Sequence, residues 1–138
     1  MRRNEPGRAV IGLGLTLAAL AFAPAPPEAP PAPTALAKAR YQAALHQFEE
    51  VWTFYRQSRS DSFQTYYWSR IVLDAQSDLD GTKAGRIVAL EAHLERMKRL
   101  EALVLKVRRL GFGFSIDVGA TAYYRLEGER WLEKARSE

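Results

Sequence analysis

All seven prolines of this 138-residue chain fall within its first 33 residues, and none follows. Proline removes a backbone donor and clashes with the preceding turn, so residues 34–138 are free to form long uninterrupted helices. The same asymmetry divides the chain. PAPPEAPPAP, residues 24–33, has fixed φ angles and few donors, and reads as an extended, semi-rigid polyproline II spacer. A proline-rich ligand for a recognition domain is the second reading of that stretch. Upstream, Arg2, Arg3 and Arg8 precede the apolar and small run AVIGLGLTLAALAFA, residues 9–23. As a helix these 15 residues span roughly 22 Å, against a ~30 Å hydrocarbon core. Residues 1–23 therefore read as a signal peptide or a short membrane anchor. Ala19-Leu20-Ala21 fits the small-residue cleavage rule, as does Ala21-Phe22-Ala23, which Pro24 follows. The paired arginines lack the hydrophobic residues of a twin-arginine signal, which points to the general secretory route. Both readings place residues 34–138 outside the cytoplasm, in the periplasm or associated with the cell envelope.

The remaining residues, 34–138, are enough for one domain with its own core. Their apolar spacing predicts four helices. Thr34 is a candidate N-cap for a helix over 35–57, whose stripe is Tyr41, Ala44, Leu45, Phe48, Val51, Trp52 and Tyr55. The polar run Gln57-Ser58-Arg59-Ser60-Asp61-Ser62 interrupts it, and Asp61 or Ser62 can cap a second helix over 62–78, which carries Phe63, Tyr66, Tyr67, Ile71, Leu73 and Leu79 and is apolar nearly all round near its start. Gly81 and Thr82 form a turn and a cap. A third helix over 83–110 carries Ile87, Leu90, Leu94, Met97, Leu100, Val104 and Val107 on one face, with Glu91, Glu95, Lys98, Arg99 and Lys106 on the other. A fourth over 115–136 uses Ile116, Ala120, Tyr123, Leu126, Trp131 and Ala135. Short connections make neighbours antiparallel, so the expected fold is all-α: an elongated antiparallel four-helix bundle of two helical hairpins.

Composition excludes several classes. The chain has no cysteine, hence no disulfide framework, cysteine nucleophile or cysteine-based zinc site. His46 and His93 are too few for an all-histidine metal centre, and no metal or cofactor is expected. His93-Leu94-Glu95 has the spacing of a zinc deaminase motif without its cysteine pair. His93 is expected as a partly exposed helical histidine, and His46 as a surface partner of Glu49 or Glu50. Residues 34–138 carry 17 basic and 14 acidic side chains, a mild surplus without the dense positive field of nucleic-acid binders. No serine lies in a nucleophile-elbow context, so the expectation is a protein without catalytic residues.

The one stretch that imitates a phosphate loop is Gly111-Phe112-Gly113. It lacks the third glycine of a dinucleotide fingerprint and any Gly-Lys-Ser/Thr, and a helix rather than a strand precedes it. Arginines followed by glycine are instead the signature of a helix C-terminus, where cations meet the negative end of the dipole and glycine takes a left-handed turn. Ser115 or Gly113 then starts the last helix, with Asp117 near its positive end. An offset of 53 residues lays Val51 on Val104, Arg56 on Arg109, Ser58 on Gly111, Ser62 on Ser115, Leu73 on Leu126 and Leu79 on Leu132, a trace of internal repetition.

Gly111, five intervening residues and Asp117-Val118, set between two helices, resemble the bend of the helical hairpins in TolC-type outer-membrane efflux proteins, which also come as an internal duplication. The first bend departs from that pattern, with Ser58 in place of glycine and Gln64-Thr65 in place of Asp-Val. The chain carries no segments that read as membrane β-strands and is too short for a channel protomer. The resemblance thus implies a coiled periplasmic hairpin. The overall pattern is also similar to small exported bacterial proteins.

If the two bends are neighbours, Arg56, Arg59, Arg70, Arg108 and Arg109 gather with Phe63, Tyr66, Tyr67, Trp68, Phe112 and Phe114. The candidate partner-binding residues are Arg56, Arg59, Phe63, Tyr66, Trp68, Arg108, Arg109, Phe112 and Phe114, because arginine and large aromatics concentrate binding energy in interfaces. The plain alternative is a wide core seam with surface aromatics. The expected role is a non-enzymatic scaffold or protein-interaction module at the cell envelope. It would bind a protein partner or self-associate, with membrane-surface contact as a further possibility and no nucleic acid. An accessory part of a TolC-like transport assembly and a small envelope enzyme are the alternatives.

Overall fold

A computed structural model of the chain describes residues 32–138. The signal or anchor segment and the spacer up to residue 31 lie outside the described residues. Four helices follow in order: α1 (Ala35–Arg56), α2 (Ser62–Asp80), α3 (Lys83–Arg109) and α4 (Ser115–Ser137). The expected all-α bundle of two hairpins is what the chain forms, with helix ends within two residues of those read from the sequence. The starts are set by local chemistry. Thr34 Oγ1 accepts from the Ala37 N–H at 3.1 Å, Asp61 Oδ1 from Gln64 at 2.8 Å, and Thr82 Oγ1 from Gly85 at 3.0 Å. Each such cap is worth about 1 kcal/mol. α4 begins at Ser115, as expected, but its N-cap is Phe114 and no side chain caps it. Asp117 instead places its charge in the first turn of α4, at the positive end of the helix dipole.

The ends need left-handed residues. Gly81 follows α2 at φ 65° and Gly111 follows α3 at φ 84°. After α1 the equivalent position is Ser58, at φ 58°. The 53-residue offset thus relates backbone as well as sequence, since Arg56 and Arg109 both end helices, Ser58 and Gly111 both turn left-handed, and Ser62 and Ser115 both begin helices.

The order of packing is less symmetric than a square bundle. α2 lies along α1, α3 and α4, and α3 lies along α2 and α4. Among the described residues the backbone of α1 approaches neither α3 nor α4 closely. α2 and α3 are therefore the inner pair, and α1 and α4 flank it.

The core of α3 is the expected one: Leu90, Leu94, Met97, Leu100 and Val104 are buried, joined by Ala89 and His93. α1 buries Ala44, Phe48 and Val51 as expected. The other two faces are corrected in part. α2 buries Tyr66 and Leu73 from its apolar set, but the rest of its buried face is Ser62, Thr65, Ser69, Val72 and Ala75, while Phe63 and Tyr67 remain outside. A helix pressed against three others needs small side chains where the backbones meet most closely. α4 buries Ala135 as expected, together with Thr121, Gly128 and Leu132, while Ile116, Tyr123 and Leu126 face solvent.

Because a left-handed conformation costs an L-residue about 1–2 kcal/mol, Ser58→Gly should raise stability by up to about 1 kcal/mol after the extra unfolded-state entropy is offset, whereas Gly111→Ala should lower it by about as much. Urea unfolding of the two variants checks both signs. Equal midpoints for Ser58→Gly, Gly111→Ala and the natural chain would refute the assigned backbone.

Candidate functional site: the bend end of the bundle

The two bends do lie side by side. Ser62 at the start of α2 is buried, and its Oγ donates to Asp117 Oδ1 on α4 at 2.8 Å. Nearby, Tyr55 from α1 is half-buried, and burial first, then the carboxylates of Asp117 and Asp61, push its phenol up to about 12, so it stays protonated. The α3–α4 turn is closed by the Phe112 N–H donating to the Val107 carbonyl at 3.1 Å and that of Gly111 to Arg108 at 3.0 Å. The α1–α2 turn is closed by the Arg59 N–H donating to the Phe54 carbonyl at 2.8 Å.

Around these turns the surface is cationic and greasy at once. Arg56, Arg59, Arg108 and Arg109 are all exposed. So are Phe63, Phe112 and Phe114, at 53, 69 and 75 %. Arg59 lies over the Phe54 ring, 5.0 Å from its centroid. Residues 54–63 and 105–118 hold five cations, Arg56, Arg59, Lys106, Arg108 and Arg109, against two carboxylates, Asp61 and Asp117. The rest of 34–138 is balanced, with 12 basic and 12 acidic side chains. The whole side-chain surplus of the bundle therefore sits at this end. None of the five cations is in an ion pair among the described residues, whereas Arg40, Arg86, Arg125 and Arg136 elsewhere are paired with Asp78, Glu138, Glu101 and Glu91.

Three expected members of the cluster lie elsewhere. Tyr66 is buried, stacked on Tyr124 at 4.0 Å between centroids, with its hydroxyl donating to Glu127. Trp68 is half-buried against the cluster of Ala44, Phe48, Val72 and Ala75. Arg70 is also drawn away, lying 5.0 Å from the Trp131 centroid on α4. The aromatic run of α2 is thus divided by helical phase: Tyr66 turns inward, Trp68 toward α1, and Phe63 and Tyr67 outward.

The polar centre of the bundle was not legible as a site. His93, expected at the surface, has no exposure and neither does Ser69. Arg96 Nε donates to Ser69 Oγ at 2.8 Å, which leaves the hydroxyl proton for His93 Nδ1, also at 2.8 Å. The imidazole then carries its own proton on Nε2, which is buried without a partner. Ser and His at hydrogen-bond distance imitate a nucleophile and its base, but a pair with no exposed surface meets no substrate, and its role is to join α2 to α3. Trp131 stacks on the His93 ring at 5.8 Å. Arg96 also lies over Phe48 at 5.4 Å and Arg99 over Trp52 at 5.1 Å, so α1 is held to α3 through guanidinium–ring contacts. The signal for this centre was the small-residue stripe Ser62, Thr65, Ser69 and Val72, at helical spacing.

Other chemistry is sparse. His46 lies 3.7 Å from Glu50 one turn on, an exposed pair as expected. Among the described residues no group of three or more His, Asp or Glu side chains is placed to hold a metal ion. No described helix is long and apolar enough to cross a membrane. An open groove of about 480 Å³ runs between Arg40, Arg70, Asp74, Arg86 and Trp131, and Arg40 and Arg86 are already in ion pairs there. No protein-family model matches the chain, and no curated protein or solved structure matches it either.

Burial first, then the charges of Arg96 and Arg70, hold His93 down at about 4 from its ordinary 6.5. Between pH 6.5 and 4 the unfolded chain takes up a proton that the folded one refuses, so stability falls as pH drops through that window, by up to about 3 kcal/mol. Urea midpoints measured across it should fall less steeply in His93→Phe than in the natural chain. Parallel slopes would show that His93 is not the buried neutral group described.

Proposed function

We propose that this chain is an exported, non-enzymatic helical scaffold or interaction module of the cell envelope, and that its contact site is the bend end of the bundle. The observation that carries the reading is the coincidence, at one end, of the bundle's entire cationic surplus with exposed Phe63, Phe112 and Phe114. Neither ion pairing nor burial inside the fold accounts for these features among the described residues. The arginines pair with no carboxylate, and the phenylalanines are more than half exposed, although burying one such ring is worth about 1.5–3 kcal/mol. Exposed apolar groups rimmed by charge are characteristic of interaction sites. The export half of the proposal is supported by Arg2, Arg3 and Arg8 ahead of the apolar run 9–23. The leader enters the bundle through Thr34, at the end opposite the bends, so a tethered molecule would present the bends outward. A role beside a TolC-like assembly is the second reading, favoured by two hairpins whose bends meet at Ser62 and Asp117.

A photo-crosslinking residue at Phe114 should give a discrete adduct in envelope preparations, and one at Lys83, at the far end, should not. Arg108→Ala with Arg109→Ala should abolish the adduct. Because these side chains are exposed, the variants should keep their thermal midpoint, with stability changed by less than about 0.5 kcal/mol. Equal labelling from positions 83 and 114, or no adduct to protein or lipid from either, would remove the bend end as the contact site.

A further inference from the structure

We infer that the surface met by the bend end is an anionic lipid bilayer, with the α3–α4 turn entering its interface. This rests on the reading of the bend end as the contact site and adds the identity of what it touches.

Leu110, Phe112, Phe114 and Ile116 occupy alternate positions through the turn and are 65, 69, 75 and 78 % exposed. Gly111 and Gly113, with left-handed backbones at φ 84° and 78°, and Ser115 separate them, so no bulky sequence neighbour covers them. Four large apolar side chains are thus exposed within seven residues at this turn, the wedge of the proposal. A protein partner would need a matching cavity for each, whereas the disordered acyl boundary of a bilayer accepts them without complementary shape. α3 alone, at 27 residues, is about 40 Å long, so the wedge can reach the interface while the helix bodies stay in water.

Charge complementarity selects the lipid. Lys106, Arg108 and Arg109 immediately precede the wedge, and Arg56 and Arg59 stand on the adjacent bend. An unpaired cationic ring around an apolar apex fits a surface of negative headgroups, where each basic side chain near the membrane adds attraction. The two neighbouring carboxylates are otherwise engaged, Asp61 as the cap of α2 and Asp117 with Ser62.

The absence of cysteine makes a local test direct. Full-length chain carrying Phe112→Cys, labelled with an environment-sensitive fluorophore, is mixed with phosphatidylglycerol-rich vesicles containing lipids brominated in the acyl chain. The expected result is a blue shift and quenching. The signal should fall at least tenfold in 0.5 M salt, in the added Arg108→Ala and Arg109→Ala background, or in pure phosphatidylcholine vesicles, because the Debye length shortens or the charge partners vanish. The same label at Lys83→Cys should stay unquenched, which separates turn insertion from any membrane binding by residues 9–23. A solvent-like label at 112 with every vesicle overturns the inference. If the Phe114 crosslink to a protein is obtained at the same time, the bend end remains a contact site with a different partner, and if neither appears both readings fall. Equal insertion into phosphatidylcholine overturns the anionic assignment.

Discussion

A helix packed against three others has little room for large side chains on its inner faces, and α2 is in that position. Beside Tyr66 and Leu73, its buried residues are Ser62, Thr65, Ser69, Val72 and Ala75. Small residues bring backbones close but bury hydroxyls, and a buried hydroxyl without a partner costs about 1–3 kcal/mol. Ser69 meets that cost with Arg96 and His93, and Ser62 with Asp117. The polar groups inside the bundle are thus a consequence of close packing at α2. Arg96, having satisfied Ser69, also lies over Phe48 and draws in α1, whose backbone does not reach α3.

The same constraint determines what is left outside. With the inner phase of α2 given to small residues, Phe63 and Tyr67 fall on the solvent side, beside the bend. On α4 the inner phase belongs to Thr121, Gly128, Leu132 and Ala135, which leaves Ile116 and Tyr123 outward. Two independent helices therefore expose apolar side chains toward one end. The α3–α4 turn adds Leu110, Phe112 and Phe114 there, and the C-terminal arginines of α1 and α3 supply the charge. Those arginines have a local reason as well, since cations stabilise a helix C-terminus by about 0.3–1 kcal/mol at exposed sites. Arg59 follows its helix rather than ending it, and carries the cationic surface beyond what helix termination asks for.

The helix boundaries were legible because capping and turning are local chemistry: Thr34, Asp61 and Thr82 cap, and Gly81 and Gly111 turn. The face of α3 was legible because large aliphatic residues recur at three and four. The faces of α2 and α4 were legible only at Tyr66, Leu73 and Ala135, because apolar periodicity weights size, whereas α2 also buries serine, threonine and alanine and α4 threonine and glycine. His93 was misplaced for the same reason: nothing near it in the sequence announces that Ser69, 24 residues earlier, supplies its partner. At the bends Arg56, Arg59, Arg108 and Arg109 and the turn phenylalanines are exposed, while Arg70 is drawn to Trp131 and Tyr66 is taken into the core through its stacking on Tyr124.

Two hairpins lie with their bends together, so that one end of the molecule collects both charge and apolar surface. Cysteines at Ser62→Cys and Asp117→Cys, in a chain that otherwise has none, test this most directly. Mild oxidation should give an intramolecular disulfide, seen as a faster monomer band without reductant, while Ser62→Cys with Ser137→Cys should not close. Free thiols or only intermolecular dimers from the first pair would contradict the arrangement.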